Sequence, residues 1–341
     1  MIFLQFYIAC QGDATQPRNT EKQTTSAVVT FEQQKLRSAD KVLCVDSDQN
    51  GTDEILFVEG NTLYTPNMEH TLDGGLQTWF KEGNHLWLGT GFSKDFREAP
   101  MTIYAYKDAK LSTFWSKTAT RNQITDLSVV QNRLYAALFS EGTQIHGGWL
   151  DQEFTPTYKS NMAMIQRPLP EDPNTIVVGR LYGDQPRSDG DLRIIKDKNS
   201  TLLENFRGVR SLEIGDINGD GHSDILVGDG WHYQYASMGQ ARLSLYFGPD
   251  FEDKRTVAIL DKEYSINHIE VHRTGKLILA QGTSSVYILQ QTDLGWKTHK
   301  LSATSESGGS TLCYDSEDSY VVVSGQPSKQ ISLSHLLSPT Q

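Results

Sequence analysis

The sequence predicts an all-β protein that is assembled from one repeated structural unit. Many short runs alternate apolar and polar residues, and this period of two is expected of strands that are buried on one face. The 28 glycines suit a chain with many tight turns. A pattern of strand, polar turn, apolar strand and small residue also recurs along the chain, which is typical of repeat architectures.

Seven segments carry the recurring pattern. In chain order they are residues 42–60, 76–91, 124–142, 162–179, 209–230, 266–282 and 310–325. A third alternating strand follows most of them, as in residues 241–247, and a weaker fourth strand often comes next, as in residues 255–260. Seven four-stranded units at a spacing of roughly 45 residues predict a seven-bladed β-propeller, whose radial packing leaves only short strand edges.

The two ends of the chain are expected to meet. The seventh unit ends too near residue 341 to contain a fourth strand, and residues 27–31 form an apolar run with no unit of their own. We therefore expect this N-terminal strand to close the last blade, so that the propeller spans residues 27–341. Two smaller β domains are the alternative, although no linker rich in Pro and Ser divides the chain near its middle.

The clearest chemical signal lies in the turn of the fifth unit, Asp216-Ile-Asn-Gly-Asp-Gly-His-Ser-Asp224. Its oxygen donors are the side chains of Asp216, Asn218, Asp220 and Asp224 and the backbone carbonyl of His222. Hard oxygen atoms in such number are the ligands of Ca²⁺. An EF-hand begins in the same way, but it has Glu at position 12, where this chain has Val227. We predict a calcium loop between two strands, with a metal-free acidic hairpin as the alternative.

A second loop in the first unit follows the same plan. Its donors are Asp46, Asp48, Asn50 and Glu54 at positions 1, 3, 5 and 9, with Thr52 at the position of His222. Because Asn50 is neutral and Glu54 is longer than Asp, we expect weaker calcium binding at this loop.

These loops resemble the calcium loop of FG-GAP (VCBS) repeats, which occur in integrin α-subunit propellers and in many bacterial surface proteins. The resemblance is specific over two units, and the other five units share only the order and spacing of the strands with this family. It implies that the calcium loop joins the two inner strands of a blade and that the ion has a structural role. By this resemblance no catalytic residue is expected at either loop.

The net charge and the hydropathy of the chain limit the kinds of partner that it is expected to bind. The formal net charge is −11, which disfavours nucleic acid and anionic membranes as ligands. No internal run of apolar residues approaches the length of about 18 residues that a membrane-spanning helix needs. The expected partner is a protein or a glycan.

The N-terminus predicts export. Residues 1–10 form a short apolar run that resembles the end of a bacterial lipoprotein signal, with Cys10 as the lipidated residue, and residues 11–26 predict a flexible linker. A secreted or envelope protein with a lipid anchor is therefore expected. A cytosolic protein with an unusual N-terminus is the alternative, because no Lys or Arg precedes the run.

Cys44 and Cys313 occupy equivalent inner-strand positions in the first and last units. We expect two buried thiols that pack as small apolar groups, because inner strands of neighbouring blades are expected to lie too far apart for a disulfide. The alternative is a disulfide that links the first and last units and so holds the propeller closed.

The candidate ligand-binding residues lie between the second and third strands of the units. These connections are predicted to be long in four successive units, at residues 92–101, 141–147, 182–190 and 229–240, and to form a raised crescent on one face. The residues proposed to bind ligand are Trp231, His232, Tyr233, Tyr235 and Arg187. Exposed aromatic rings suit a sugar or a peptide. The alternative is that Trp231 and Tyr233 pack beneath their own loop.

The function expected from the sequence is a calcium-stabilised binding module outside the cytoplasm. The chain contains no HExxH, P-loop, GxSxG or CxxC motif. A polysaccharide lyase or hydrolase with its site on the channel face of the propeller is the alternative function.

Overall fold

The computed structural model describes residues 33–93, 95, 97–118, 122–139, 144–182, 189–230, 240–303, 308–315 and 318–337. Within these residues the chain forms twenty-eight β-strands and one short helix, so the predicted all-β class is confirmed. No helix in this part of the chain is both long and apolar enough to cross a membrane.

The strands follow one another in antiparallel sets of four. After β1 (Gln33–Lys35), set 1 is β2 (Lys41–Val45), β3 (Glu54–Glu59), β4 (Thr62–Tyr64) and β5 (Glu69–Thr71). Set 2 is β6 (Gly75–Glu82), β7 (His85–Gly91), β8 (Met101–Lys107) and β9 (Lys110–Lys117). Set 3 is β10 (Gln123–Val130), β11 (Arg133–Phe139), β12 (Gln144–Leu150) and β13 (Phe154–Asn161). Set 4 is β14 (Ile165–Pro168), β15 (Ile176–Gly179), β16 (Gly190–Lys196) and β17 (Asn199–Phe206).

The remaining sets repeat this order. Set 5 is β18 (Val209–Gly215), β19 (Asp224–Asp229), β20 (Gln240–Tyr246) and β21 (Lys254–Asp261). Set 6 is β22 (Ile266–Val271), β23 (Leu277–Gly282), β24 (Ser285–Thr292) and β25 (Gly295–Ala303). Set 7 contains β26 (Ser310–Tyr314), β27 (Ser319–Val323) and β28 (Lys329–Ser332), and the helix α1 (Ser334–Leu337) follows it. A single residue pair, Gly91 with Gln123, joins sets 2 and 3 into one eight-stranded sheet.

The apolar core lies between neighbouring sets. In β2, Leu43 and Val45 pack with side chains of set 2, whereas Val42 and Cys44 pack with side chains of set 7. Successive residues of a strand point to opposite faces, so a strand that is covered on both faces is apolar throughout. This is why β2, β19 and β27 are runs of mostly apolar residues rather than alternating ones.

The fourth strand of set 7 comes from the other end of the chain. β1 pairs with β28, with Gln33 opposite Ile331 and Lys35 opposite Lys329. An N-terminal strand thus completes the last set, and within the described residues it spans Gln33–Lys35. The strand was predicted at residues 27–31. Those five residues lie outside the described part of the chain.

Cys44 and Cys313 form a disulfide between β2 and β26, and this corrects the expectation of two free thiols. Their Cα atoms are 5.5 Å apart, within the range that a disulfide requires. The expectation failed because the first strands of sets 1 and 7 approach each other closely, and Cys44 and Cys313 belong to one apolar cluster with Val42 and Tyr320.

Loss of the disulfide should lower stability markedly. The bond links residues 269 positions apart, and closing so long a loop in the unfolded chain corresponds to about 5 kcal/mol of stabilisation. We expect the variant Cys44→Ser/Cys313→Ser to melt at a lower temperature than the oxidised wild-type protein. A reducing agent should lower the wild-type midpoint and leave that of the variant unchanged. Equal midpoints for the oxidised wild type and the variant would contradict this expectation.

Candidate functional site

The turn between β18 and β19 is held by its own carboxylates. Asp216 accepts hydrogen bonds from the backbone N–H groups of Gly219, Asp220 and Gly221, at 2.7, 3.0 and 2.9 Å. Asp224 accepts bonds from the N–H groups of Ile217, Asn218 and Gly248. Asn218 and Asp220 accept bonds from the N–H groups two residues further on. Each side chain that is predicted to bind calcium therefore accepts hydrogen bonds that fix the backbone of the loop.

The turn between β2 and β3 has the same internal pattern. Asp46 at position 1 accepts bonds from the N–H groups of Asn50 and Gly51, which are positions 5 and 6. Asn50 accepts the N–H of Thr52, as Asp220 accepts that of His222. Glu54 at position 9 accepts the N–H of Ser47, just as Asp224 accepts that of Ile217. The longer Glu54 side chain also accepts a bond from the Ser47 hydroxyl at 3.0 Å.

The two turns also share their backbone conformation. Gly51 and Gly221, both at position 6, have φ angles of 88° and 89°, in the left-handed region that glycine adopts without strain. Position 4 is left-handed in both turns as well, with φ of 81° at Gly219 and 60° at Gln49. Gln49 carries a side chain in a conformation that L-residues rarely adopt.

The donor chemistry of both turns suits a hard cation. Carboxylate, amide and carbonyl oxygens are the ligands that Ca²⁺ takes, and each of these oxygens can hold a cation in addition to an N–H group. Burial raises the pKa of Asp224, which is fully buried, above its ordinary value, and a nearby cation would favour its charged form. Within the described residues, no three His, Cys, Asp or Glu side chains are already grouped as a metal cluster. The residues of both turns fit calcium because their ligand atoms are oxygens.

The long connections lie at the opposite end of the strands. In sets 2, 4 and 5 they are residues 92–100, 180–189 and 230–239. The connection of set 3 is short, because residues 144–147 belong to β12, and this corrects the prediction of four long loops. The proposed ligand-binding residues Trp231, His232, Tyr233, Tyr235 and Arg187 lie outside the described part of the chain, as does Cys10.

A pocket of about 680 Å³ opens between sets 4 and 5. It lies where the connections 180–189 and 230–239 join their strands, since Asp189, Asp229 and Gln240 are among its lining residues. Its other walls include Asn205, Phe206, Arg207, Arg242 and Ile259. The predicted connections 182–190 and 229–240 include Asp189, Asp229 and Gln240, whereas these other wall residues have no signal in the sequence because they come from strands of two different sets.

The charges of Asp229, Arg207 and Arg242 in this pocket are paired, whereas Asp189 is an exposed carboxylate. Asp229 is 3% exposed and accepts the backbone N–H of Arg242 at 2.5 Å, and its carboxylate lies 3.4 Å from Arg207 Nη2. Burial raises the pKa of Asp229 above its ordinary value, while the Arg242 N–H and the guanidinium groups of Arg207 and Arg242 oppose the rise. Glu204, which is next to the lining residue Asn205 but does not itself line the pocket, contacts Arg242 at 3.0 Å and Lys254 at 2.6 Å.

Burial alone would raise the pKa of Glu204, but its bonds to Lys254 and Tyr246 and the charge of Arg242 bring that pKa below its ordinary value. Glu204 is therefore ionised at neutral pH and compensates one guanidinium group. Arg242 also lies over the ring of Phe206, with its Cζ atom 5.2 Å from the ring centre. The two contacts hold the Arg242 side chain against the pocket wall.

Polar side chains from the first strands form a second cluster. It includes Lys41, Trp79, Asp126, Arg167, Glu213, His268, Glu270 and Thr311, which come from all seven sets. The rings of Trp79 and His268 are 5.1 Å apart, although they belong to sets 2 and 6. The His268 ring lies 2.8 Å from Glu270, and Glu270 accepts a bond from the Thr311 hydroxyl.

Arg167 forms two ion pairs in this cluster. Its guanidinium group lies 3.1 Å from Asp126 and 2.9 Å from Glu213, so it links sets 3, 4 and 5. Burial raises the pKa of both carboxyl groups, and Arg167 opposes the rise. The arrangement is a buried salt bridge, in which the loss of one partner leaves an uncompensated charge.

Removing Arg167 should therefore be costly. We expect Arg167→Met to reduce the free energy of unfolding by about 3–5 kcal/mol, measured by chemical denaturation. Arg133→Met is the matched control, because the pair of Arg133 with Asp151 is exposed, with 51% and 66% of the side chains accessible. An exposed pair contributes about 1 kcal/mol or less. Equal losses for the two variants would contradict the role of burial.

Known structures with the same fold were found by structural comparison. The structure of U3-55K aligns with a TM-score of 0.54 at 12% identity, covering 88% of this chain and 98% of that one. The WD40 repeats of RRP9 align with the same score and identity over 89% of this chain and 99% of theirs. The fold is propeller-like. Comparisons with protein-family models and with curated proteins gave no match.

A third similar structure is the extracellular domain of the putative one component system BT4673 from B. thetaiotaomicron. It aligns with a TM-score of 0.57 at 13% identity over 89% of this chain. The aligned region is 39% of that chain, so this protein spans well under half its length. At such identities the likeness shows a shared fold and no more.

Proposed function

We propose that this protein is a closed seven-bladed β-propeller that acts outside the cytoplasm as a binding module for a protein or a glycan. The seven sets are the blades. The first strands of neighbouring sets pack together from β6 to β26, and β26 also packs against β2. Lys41 of β2 donates a hydrogen bond to the carbonyl of Leu76 in β6, which links the remaining two neighbours.

The pocket between sets 4 and 5 is the observation that carries the binding function. Ligand sites are concave and combine apolar walls with a few placed polar groups, and volumes of about 300–1,000 Å³ are usual. This pocket has such a volume and combines Phe206 and Ile259 with a larger number of polar groups, and two long connections start or end at its lining residues. The aromatic residues Trp231, Tyr233 and Tyr235, with His232 and Arg187, lie in those connections by sequence and are proposed to add contact area to a bound ligand.

Two features support a location outside the cytoplasm. Structural disulfides persist in oxidising compartments, and Cys44–Cys313 is such a bond. The similar BT4673 structure is an extracellular domain. A secreted or envelope protein, with lipid attached at Cys10, is part of this proposal.

Calcium is proposed to stabilise the two polar turns, in line with their resemblance to FG-GAP repeats. Asp216, Asn218, Asp220, Asp224 and the carbonyl of His222 would hold the ion in set 5. Asp46, Asp48, Asn50, Glu54 and the carbonyl of Thr52 would hold it in set 1. The ion would supply positive charge beside carboxylates that already order the turns. It would have a structural role, at a distance from the proposed ligand pocket.

Calcium should raise the melting temperature. An ion that binds only the folded chain stabilises it by about 2.7 kcal/mol when its concentration is 100 times Kd. We expect EDTA to lower the midpoint of the wild-type protein, and Asp220→Ala to lower the midpoint in calcium and to reduce the shift caused by EDTA. Asp293→Ala, in the turn between β24 and β25, is the control and should retain the full shift. An EDTA response that Asp220→Ala leaves unchanged would contradict calcium binding at this loop.

Blocking the pocket should abolish binding whatever the ligand class. Ile259 is 56% exposed in the pocket wall, and Leu294 is fully exposed in a turn of set 6. We expect Ile259→Cys, labelled with a polyethylene glycol maleimide, to lose at least tenfold in affinity for protein and glycan arrays. The equally labelled Leu294→Cys should bind as the wild type does.

Equal binding by the two labelled variants would exclude this pocket as the binding site. Turnover of a polysaccharide on the same arrays would instead favour the lyase or hydrolase function. Saturable binding without turnover is the result expected of a binding module.

A further inference from the structure

We propose that the ligand of this pocket is an uncharged carbohydrate. The inference rests on the proposed binding function and narrows it to one chemical class. It follows from the balance of charge in the pocket, from its hydrogen-bonding groups and from its exposed apolar wall.

The charge balance disfavours an ionic ligand. Arg207 and Arg242 face Asp229 at 3.4 and 3.7 Å, and Glu204 accepts a further bond from Arg242 at 3.0 Å. An anionic ligand would have to compete with these carboxylates for both guanidinium groups. A cationic ligand would have to compete with the guanidinium groups for Asp229. Since both described guanidinium groups already pair with carboxylates, a neutral polar ligand enters beside them at the lowest electrostatic cost.

The remaining polar groups match sugar hydroxyls. A hydroxyl group both donates and accepts hydrogen bonds, and so does a carboxamide. Asn205 and Gln240 place carboxamides in the pocket wall, and Asp189 adds an exposed carboxylate. Within the described residues no hydrogen bond engages the Asn205 side chain, which is exposed on β17. Its donor and acceptor atoms are therefore available to a ligand.

The wall also offers an apolar surface. Ile259 lies 56% exposed beside these polar groups, although large aliphatic side chains are usually buried. A sugar ring presents C–H groups as well as hydroxyls, so it can cover Ile259 while its hydroxyls bond to the amides. Neither an inorganic ion nor a small carboxylate would use this apolar contact.

Part of the pocket wall is fixed before the ligand arrives. Arg242 is clamped by Glu204 and by the ring of Phe206, and the backbone N–H of Arg242 binds Asp229. Preformed walls reduce the entropy lost on binding, which favours recognition of a flexible oligosaccharide.

Asn205→Ala tests the assignment directly. The probes are neutral gluco-, galacto-, manno- and xylo-oligosaccharides, with uronate-containing oligosaccharides as the charged comparison, and the measurement is isothermal titration calorimetry with the full chain. We expect at least one neutral probe to bind, with little change between low and high salt, because screening acts only on charged partners. Asn205→Ala should weaken that binding at least tenfold.

Asn199→Ala is the matched control. Asn199 is an exposed Asn at the other end of the same strand, outside the pocket, so it reports any general effect of the substitution on β17. It should bind the probe as the wild type does. An equal loss in both variants would assign the effect to the strand and overturn the inference, and so would an unchanged affinity in Asn205→Ala.

The remaining outcomes separate this inference from the proposed function. Binding of uronate probes alone, weakened by salt, would overturn the neutral class while the binding module stands. A second outcome is that no oligosaccharide binds, while a protein ligand binds the wild type and is lost by labelled Ile259→Cys. This would also overturn the neutral carbohydrate and leave the binding module standing. If the pocket label changes no binding at all, the proposed function itself fails.

Discussion

The contact between the first and last four-stranded sets is the constraint on which the other contacts depend. An array of sheets that pack face to face has two open ends, and each end exposes an apolar face to water. Here Val42 and Cys44 of set 1 face the apolar residues of set 7, and the Cys44–Cys313 disulfide makes the contact covalent. β1 completes set 7 from the N-terminal side of the chain, so that both ends of the repeat are held by residues distant in sequence.

The first strands of the sets, which carry the polar cluster, also converge, since the Trp79–His268 contact joins sets 2 and 6. Strands that converge from several sets bring their side chains into a common space. The chain fills part of this space with the Trp79–His268 contact and with the ion pairs of Arg167. Each buried carboxylate in that network has a hydrogen-bonded cation beside it, which is the condition under which buried charge is tolerated.

The two ends of the sheets differ in the length and structure of the connections between strands. At one end, the turns of sets 1 and 5 use carboxylates to bind their own N–H groups, and each conformation is fixed by a short local sequence. At the other end, the connections are long in sets 2, 4 and 5 and the strand ends between sets 4 and 5 leave a pocket. The sheets between these ends separate the acidic turns from the proposed binding face, so that substitutions at one end leave the other undisturbed.

By itself the sequence determined those features that depend on neighbouring residues. Period-two alternation predicted the strands, and the sets were found close to the predicted places because each hairpin is formed by local segments. The spacing Asp216, Asn218, Asp220 predicted a structured acidic turn, and the structure shows that turn with its internal hydrogen bonds. The binding of calcium to it stays a prediction.

Only the tertiary structure decided the contacts between distant residues. Neither the pairing of Cys44 with Cys313 nor the meeting of Arg207 with Asp229 has a signal in local spacing. The thiols were expected to be free because the separation of two inner strands cannot be read from either strand. The pocket was predicted only in part: the connections 182–190 and 229–240 contain its residues Asp189, Asp229 and Gln240, but the lining residues on the strands of two sets have no local signal. Local patterns specify which face of a strand is buried, whereas the packing of whole sheets decides which side chains meet.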